Sequence, residues 1–368
     1  MSEKKKYKIC IVGSLLAGGG AERAHANLSN FFHRSGIEVY NVIFEDRVEY
    51  AFSGELLNIG KIEHNTVSQK ISRFRLLYNY IKKHQFDYII DFRYRGTVYA
   101  EYFLSRIVFK QTKYIPSIRG AYFPVYFTKY EVVAKRLFRR AYKIVAVSKE
   151  MEKAIRQQYG YQNTTTIYNI VETPHIQKLS TEPTPEQLDF RFVLGLGRMH
   201  QSNVKQQDVM IRAYAQSVLP QHGIKLILIG DGTKLNDFKE LAKELGLTDK
   251  VLFLGFKENP YPYISKAEFM LLTSKTEGFP NVLLESFACQ TPVVSYDCKT
   301  GPSEIITHKH NGLLVEDQNR DKLVEAMNLM VENQELYQFC KSNTLSRALE
   351  FSPENIGRQW LKLMKIEV

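Results

Sequence analysis

Ten short apolar runs punctuate this chain of 368 residues, with amphipathic helical patterns between them, and that alternation restricts the fold to parallel sheets flanked by helices. The first five runs, Tyr7 to Val12, Glu38 to Phe44, Tyr88 to Asp91, Lys113 to Ser117 and Lys143 to Val147, predict strands, with helices in the gaps that include Ala21 to Arg34 and Ser148 to Tyr159. The stretch 172–189 has Pro174, Pro183 and Pro185 among Glu, Thr and Ser, lacks apolar periodicity and reads as a linker. A second alternation follows, with predicted strands at Phe190 to Gly195, Lys225 to Ile229, Val251 to Leu254, Phe269 to Leu272 and Pro292 to Ser295. The length suffices for two cores, so the expected layout is an N-terminal domain over 1–171, a linker over 172–189 and a second domain over 190–352. A last helix within 353–368 is expected to pack back on the first domain. Open parallel sheets bind ligands beyond the carboxyl ends of their strands, so the loops just after strands are where chemistry is sought.

Charge is unevenly placed. Up to Ser180 there are 29 Lys and Arg against 15 Asp and Glu, an excess of 14, whereas the whole chain carries +11. The N-terminal half alone is therefore suited to a polyanion, either an anionic membrane surface or a nucleic acid. Cys10, Cys289, Cys298 and Cys340 show no metal or disulfide spacing, which suggests a reducing, cytoplasmic setting. The start, Lys4-Lys5-Lys6 before Ile9 to Ala17, resembles a signal peptide superficially, but the apolar run breaks into a glycine loop and is read as a strand.

Four loops carry candidate chemistry. Gly18-Gly19-Gly20-Ala21-Glu22-Arg23 joins the first strand to a helix and can bring backbone N–H groups against a phosphate, though such loops also serve simply as turns. It lacks G-x-G-x-x-G spacing, and neither Glu38 nor Glu45 suits a dinucleotide ribose, so NAD is disfavoured. In the second half, Gly195-Leu196-Gly197-Arg198 leads on to Lys205, two cations suited to one diphosphate; a solvated basic loop is the alternative. Ile229-Gly230-Asp231-Gly232 marks another tight strand end. Finally, Glu277-Gly278-Phe279-Pro280-Asn281-Val282-Leu283-Leu284-Glu285 places carboxylates before and within a helix, with Pro280 expected at its first position and free N–H groups between. Two carboxylates about an anion site suit a nucleotide diphosphate sugar; a helix stabilised by its own glutamates is the plainer reading.

Together with Gly301-Pro302-Ser303-Glu304, these segments resemble, in order and over nearly the whole chain, the family-4 retaining glycosyltransferases of GT-B fold used in bacterial surface polysaccharide synthesis. The resemblance implies an α/β protein of two Rossmann-like parallel-sheet domains facing a central cleft, the first binding acceptor and the second a nucleotide sugar. It implies that Arg198 and Lys205 hold the diphosphate, Glu277 the transferred sugar and Glu285 the ribose. Gly197, Phe279, Pro280, Asn281 and Val282 would line the donor pocket, and Gly18, Gly19 and Gly20 would approach the diphosphate. Many members carry a His in the first domain where this chain reads Ile115-Pro116-Ser117-Ile118-Arg119-Gly120; Arg119 cannot serve as a general base and is a possible acceptor or phosphate contact.

No Asp-x-Asp pair is present, so metal-independent activity without a cofactor is expected. The expected donor is a UDP-sugar carrying a hexose or N-acetylhexosamine. The expected acceptor is a lipid-linked saccharide, met at the inner face of the cell membrane by a peripheral protein. Arg93-Tyr94-Arg95, Tyr122 to Phe127 and Lys135 to Arg140 set cations beside aromatic rings, which suits an anionic membrane; core aromatics with solvated bases is the alternative. No nucleic-acid motif is present. A sugar-nucleotide epimerase of the same fold and a non-catalytic membrane- or nucleic-acid-binding protein remain as competing readings.

Overall fold

The computed structural model describes residues 6–63, 65–95, 98–110 and 112–367; Lys4 and Lys5 of the basic start lie outside them, as does Val368. The chain divides into two compact units, one reaching from the N-terminal part to Ile170 and taking back the segment from Pro353 onward, the other spanning Val171–Ser352.

The first unit contains β1 (Lys8–Gly13), β2 (Glu38–Ile43), β3 (Glu55–Asn58), β4 (Tyr88–Asp91), β5 (Lys113–Ile118), β6 (Ile144–Ala146) and β7 (Thr164–Thr166). They form one parallel sheet in the order β3-β2-β1-β4-β5-β6-β7. Ile9 to Val12 and Ile89 to Ile90 are fully buried, because helices cover both faces of the sheet and leave no polar side to the central strands. The returning C-terminal segment closes this unit. Trp360 and Met364 are buried, the Tyr142 hydroxyl donates to the Leu363 carbonyl at 3.2 Å, and the Tyr88 hydroxyl donates to that of Met364.

The second unit contains β8 (Phe192–Leu196), β9 (Lys225–Ile229), β10 (Val251–Phe253), β11 (Met270–Leu272), β12 (Val293–Tyr296) and β13 (Gly312–Val315). Its parallel sheet has the order β10-β9-β8-β11-β12-β13. Val193, Leu226, Leu228, Leu271 and Val294 of the sheet pack with Ile211, Phe238 and Met327 of the covering helices in a single core. In both sheets the strand order reverses direction beside the first strand, between β1 and β4 and between β8 and β11. A crevice opens there because the connections on either side leave in opposite directions.

Two expectations need correcting. The stretch 172–189, read as a linker, belongs to the second unit and holds the helix Thr173–Ser180 with Pro174 in its first turn, where a missing N–H is harmless. Pro280 is the residue capping the helix Asn281–Ala288 rather than its first member; its ψ of 90° is extended, and its carbonyl accepts from the Leu283 N–H at 3.0 Å. Among the described residues no helix is long and apolar enough to cross a membrane.

Candidate functional site

In the second unit the strand-order reversal brings two loops together. The loop after β8 runs from Gly197 to Gln206 and that after β11 from Thr273 to Pro280. Backbone contacts fix the loop after β8 both to the end of β9 and to the loop after β11. The Gly197 N–H donates to the Ile229 carbonyl at 3.0 Å, the Met199 N–H to that of Asp231 at 2.9 Å, and the Lys275 N–H to that of Val204 at 2.8 Å. The buried Gln207 amide donates to the carbonyls of Gly197 and Arg198 at 3.2 and 3.3 Å, and the buried Thr273 hydroxyl shares its proton between those of Lys205 and Gln206 at 2.9 and 3.0 Å. Gly230, at φ +142°, lies so close to the Gly197 carbonyl that a Cβ would occupy the same space, which is why the strand end after β9 needs glycine.

The result is a charge pair that sequence reasoning did not foresee. Lys205 Nζ donates to Glu277 Oε1 at 2.6 Å, across 72 positions, with the lysine side chain 29% and the glutamate 12% exposed. The Thr300 hydroxyl donates to the Glu277 carbonyl and holds the loop from below. Gly301, at φ +99°, presses against the Pro280 ring and Phe279 backbone, so the glycine of the Gly-Pro-Ser-Glu segment seats the entry to the helix. Phe279 and Pro280 are buried, Asn281, Val282 and Glu285 are half-buried, and Glu285 lies on the second turn. Gly197 is half-buried and Arg198 exposed. Burial first, and the neighbouring Glu277 carboxylate second, push the Cys298 thiol up to about 12, so it stays protonated and is no nucleophile at neutral pH.

In the first unit Gly18, Gly19 and Gly20 follow β1, with Gly19 as the extended cap of the helix Gly20–Arg34. Behind them lies a residue the sequence reading passed over. His25 is fully buried and stacks on Phe92 at 5.8 Å. Its Nε2 meets Asn41 Oδ1 at 3.0 Å, and because the Asn41 amide nitrogen donates to the Ser53 carbonyl at 2.8 Å, the histidine is the donor. Burial pulls its pKa down to about 4.

Arg119 follows β5 and is also buried. It donates to Ser117 Oγ at 2.8 Å, the Ile167 carbonyl at 3.1 Å and Asn169 Oδ1 at 3.0 Å, and lies over the rings of Phe92 and Trp360. All these acceptors are neutral, and burial draws its pKa down to about 9.

Arg93 and Arg95 correct the sequence reading of the basic segments. Both are buried, and they pair with Asp91 at 2.8 and 3.4 Å, while Arg93 also meets Glu101 at 3.2 Å. Burial raises the Asp91 pKa, but Arg93 and Arg95 outweigh it and hold the carboxyl at about 2. Phe123, Tyr126 and Phe127 are core as well, whereas Tyr94, Tyr122, Lys135, Arg136, Arg139 and Arg140 remain at the surface.

Two family profiles match, end to end: "Glycosyltransferase Family 4" over 18–174 and "Glycosyl transferases group 1" over 177–347. The chain belongs to glycosyltransferase family 4. Among relatives of this family-4 chain, the Campylobacter jejuni N-acetylgalactosamine-N,N'-diacetylbacillosaminyl-diphospho-undecaprenol 4-alpha-N-acetylgalactosaminyltransferase is 36% identical over 54% of it; the matched segment is about half of that relative, 52%. An uncharacterised glycosyltransferase of Haemophilus influenzae is 24% identical over 97% of the chain and 99% of its own length. Anabaena HepE in complex with UDP and glucose superposes with a TM-score of 0.78 at 22% identity, over 98% of this chain and 99% of that one. The solved neighbours are GT-B glycosyltransferases, and the fold of this family-4 chain is theirs.

Proposed function

We propose that the protein transfers a hexose or N-acetylhexosamine from a UDP-sugar to a lipid-linked saccharide in the synthesis of a bacterial surface polysaccharide, with retention of anomeric configuration. The observation that carries this reading is the Lys205–Glu277 pair at the strand-order reversal of the second unit, a cation and a carboxylate at the mouth of a helix. It is supported by the UDP and glucose held by HepE and by the undecaprenol-linked substrate named for the Campylobacter relative.

Arg198 and Lys205 take the diphosphate, Glu277 the sugar hydroxyls and Glu285 the ribose; Gly197 and the Phe279 to Val282 segment line the donor pocket. Charge lost to the leaving diphosphate is met by the two cations and by the N–H groups of the helix Asn281–Ala288. The acceptor oxygen bonds to the anomeric carbon as the bond from that carbon to the phosphate oxygen breaks. The acceptor proton passes to the departing phosphate on the same face, so no side-chain base is needed. Arg119 in the first unit offers a cation to a phosphate of the acceptor. A buried guanidinium whose acceptors among the described residues are all neutral is short of an anion.

The test is a thermal-shift and calorimetric screen against UDP, GDP, UDP-glucose, UDP-galactose, UDP-GlcNAc, UDP-GalNAc and NAD. Stabilisation by UDP, larger with one of its sugars, followed by UDP release that depends on an added lipid-linked saccharide, is the expected outcome. Isomerised nucleotide sugar without acceptor would establish an epimerase instead, and the absence of any nucleotide effect would remove the reading. Arg119→Gln is expected to weaken phosphate-bearing ligands only, and equal loss for an uncharged acceptor analogue would rule out that role.

A further inference from the structure

The loop that carries Lys205 departs from what its position in the chain calls for. Gln206 stands at the mouth of the helix Gln207–Gln216, where an extended Ser, Thr, Asp or Asn usually caps the first turn. It is instead left-handed, at φ 49° and ψ 50°, and its side chain caps nothing. Asn203 is left-handed too, at φ 45°, so Lys205 sits between two such residues. In the loop after β13, Gln318 has φ 61°. Of the five non-glycine residues with positive φ among the described residues of the second unit, these two loops hold three, so backbone strain is concentrated here. Asn bears that conformation easily, but Gln needs contacts from elsewhere to hold it.

Those contacts are present. The Asn203 amide donates to Asp208 Oδ1 at 2.7 Å, and the Thr273 hydroxyl holds the carbonyls of Lys205 and Gln206. The Gln206 side chain is buried and reaches a partner 112 positions away, its amide donating to Gln318 Oε1 at 2.9 Å. Gln318 in turn donates to Asp317 Oδ1 at 3.0 Å, which leaves its oxygen for Gln206. The next residue, Asn319, accepts from the Lys322 N–H at 3.1 Å at the start of the helix Arg320–Glu332 and donates to Glu316 Oε2 at 2.8 Å, so the turn bearing Gln318 is itself held. The Cys298 thiol feels Glu277, Asp317 and Lys205 together, which sets this turn beside the charge pair.

We infer that Gln206 and Gln318 form a clasp that positions Lys205 for the diphosphate, the loop after β13 acting on the donor site through the backbone of the loop after β8. The inference rests on the transfer reading only for the ligand that Lys205 receives. The left-handed turn at Gln206 sets the direction in which the chain leaves Lys205, and Thr273 fixes the Lys205 carbonyl. With both held, the ammonium is presented to Glu277 rather than left to swing in solvent. Two neutral amides do this without adding a charge that would compete with Glu277 or repel a phosphate. A side chain serving only to start the helix would bond the free N–H groups of its first turn, and that of Gln206 does not.

The test follows Lys205 directly and through its ligand. Labelling of Lys205 by an amine-reactive ester, read by mass spectrometry, is expected to rise about threefold in Gln318→Ala and in Gln206→Gly, as the ammonium leaves Glu277 more often. Both variants should bind UDP about fivefold more weakly, the worth of one neutral hydrogen bond, while inhibition by uridine, which has no phosphate, stays unchanged. The double variant should be no weaker than either single one, because both break the same contact. Glycine is at ease at φ 49°, so Gln206→Gly should keep the melting temperature of wild type, whereas a merely structural role requires it to fall together with UDP affinity. Faster labelling of Lys205 in both variants of a protein that UDP does not stabilise would leave the clasp standing and remove the transfer reading. Unchanged labelling of Lys205, additive losses in the double variant, or an equal loss of uridine inhibition would overturn the clasp.

Discussion

Replacing Glu277 by Gln separates two roles that meet in its contact with Lys205. Lys205 and Glu277 meet at 2.6 Å while each retains some access to water, so the pair stabilises the free site by about 1 kcal/mol once solvent screening is allowed for. A diphosphate claiming Lys205 must first displace the carboxylate. Glu277→Gln keeps the shape and removes the competing charge, so UDP alone is expected to bind about fivefold more tightly. If Glu277 also orients the sugar as the bond breaks, turnover with the UDP-sugar should fall by roughly a hundredfold in the same variant. Lys205→Ala is expected to move UDP affinity the other way, by about tenfold or more for a lost charge-assisted contact. Calorimetry with UDP and steady-state UDP release with the cognate sugar measure the two effects. The reasoning fails if Glu277→Gln weakens UDP as much as Lys205→Ala does, or if it leaves turnover untouched.

Other outcomes follow from particular contacts. His25 has a folded pKa of about 4 against an ordinary 6.5, so its contribution to stability is complete above pH 6.5 and is lost as pH falls toward 4. The first unit should lose about 2 kcal/mol between pH 7.5 and pH 5 from this residue. Urea unfolding followed by the fluorescence of Trp360, the single tryptophan, should show a shallower pH dependence in His25→Gln, and equal slopes would refute it. Gly301→Ala forces a side chain with φ of +99° against the Pro280 ring and should cost about 2 kcal/mol, read as a lower melting temperature with weaker UDP-sugar binding; an unchanged melting temperature would contradict it. Turnover is expected to survive EDTA, and loss restored by Mg²⁺ or Mn²⁺ would show that Arg198 and Lys205 do not suffice for the diphosphate.

The sequence reading found the central strands because burial on both faces leaves near-continuous apolar runs. The three strands it omitted, Glu55–Asn58, Thr164–Thr166 and Gly312–Val315, are short and all lie at sheet edges, where one side of the ladder is unpaired; the first two contain polar residues, and the third is a brief apolar run behind a glycine. The loops bearing Gly197, Lys205 and Glu277 were legible as strand ends. The Lys205–Glu277 contact was not, since 72 residues separate the partners and only the placement of β8 beside β11 joins them. His25 resembles any polar residue on a helix until Asn41 of β2 is seen opposite. Arg93 and Arg95 misled in the other direction, because the sequence shows their charge but not that they are buried against Asp91 and Glu101.

The return of the segment after Pro353 to the first unit has a consequence for biosynthesis. Those residues leave the ribosome only after all of Val171–Ser352 has been made, yet Tyr88, Tyr142 and Arg119 in the first unit wait for Met364, Leu363 and Trp360. The first unit to be translated is thus the last to be completed. During that interval its sheet has an uncovered apolar site where Trp360 will sit, a target for chaperones on the nascent chain. A stop codon near position 353 would damage the domain made first and spare the one made second.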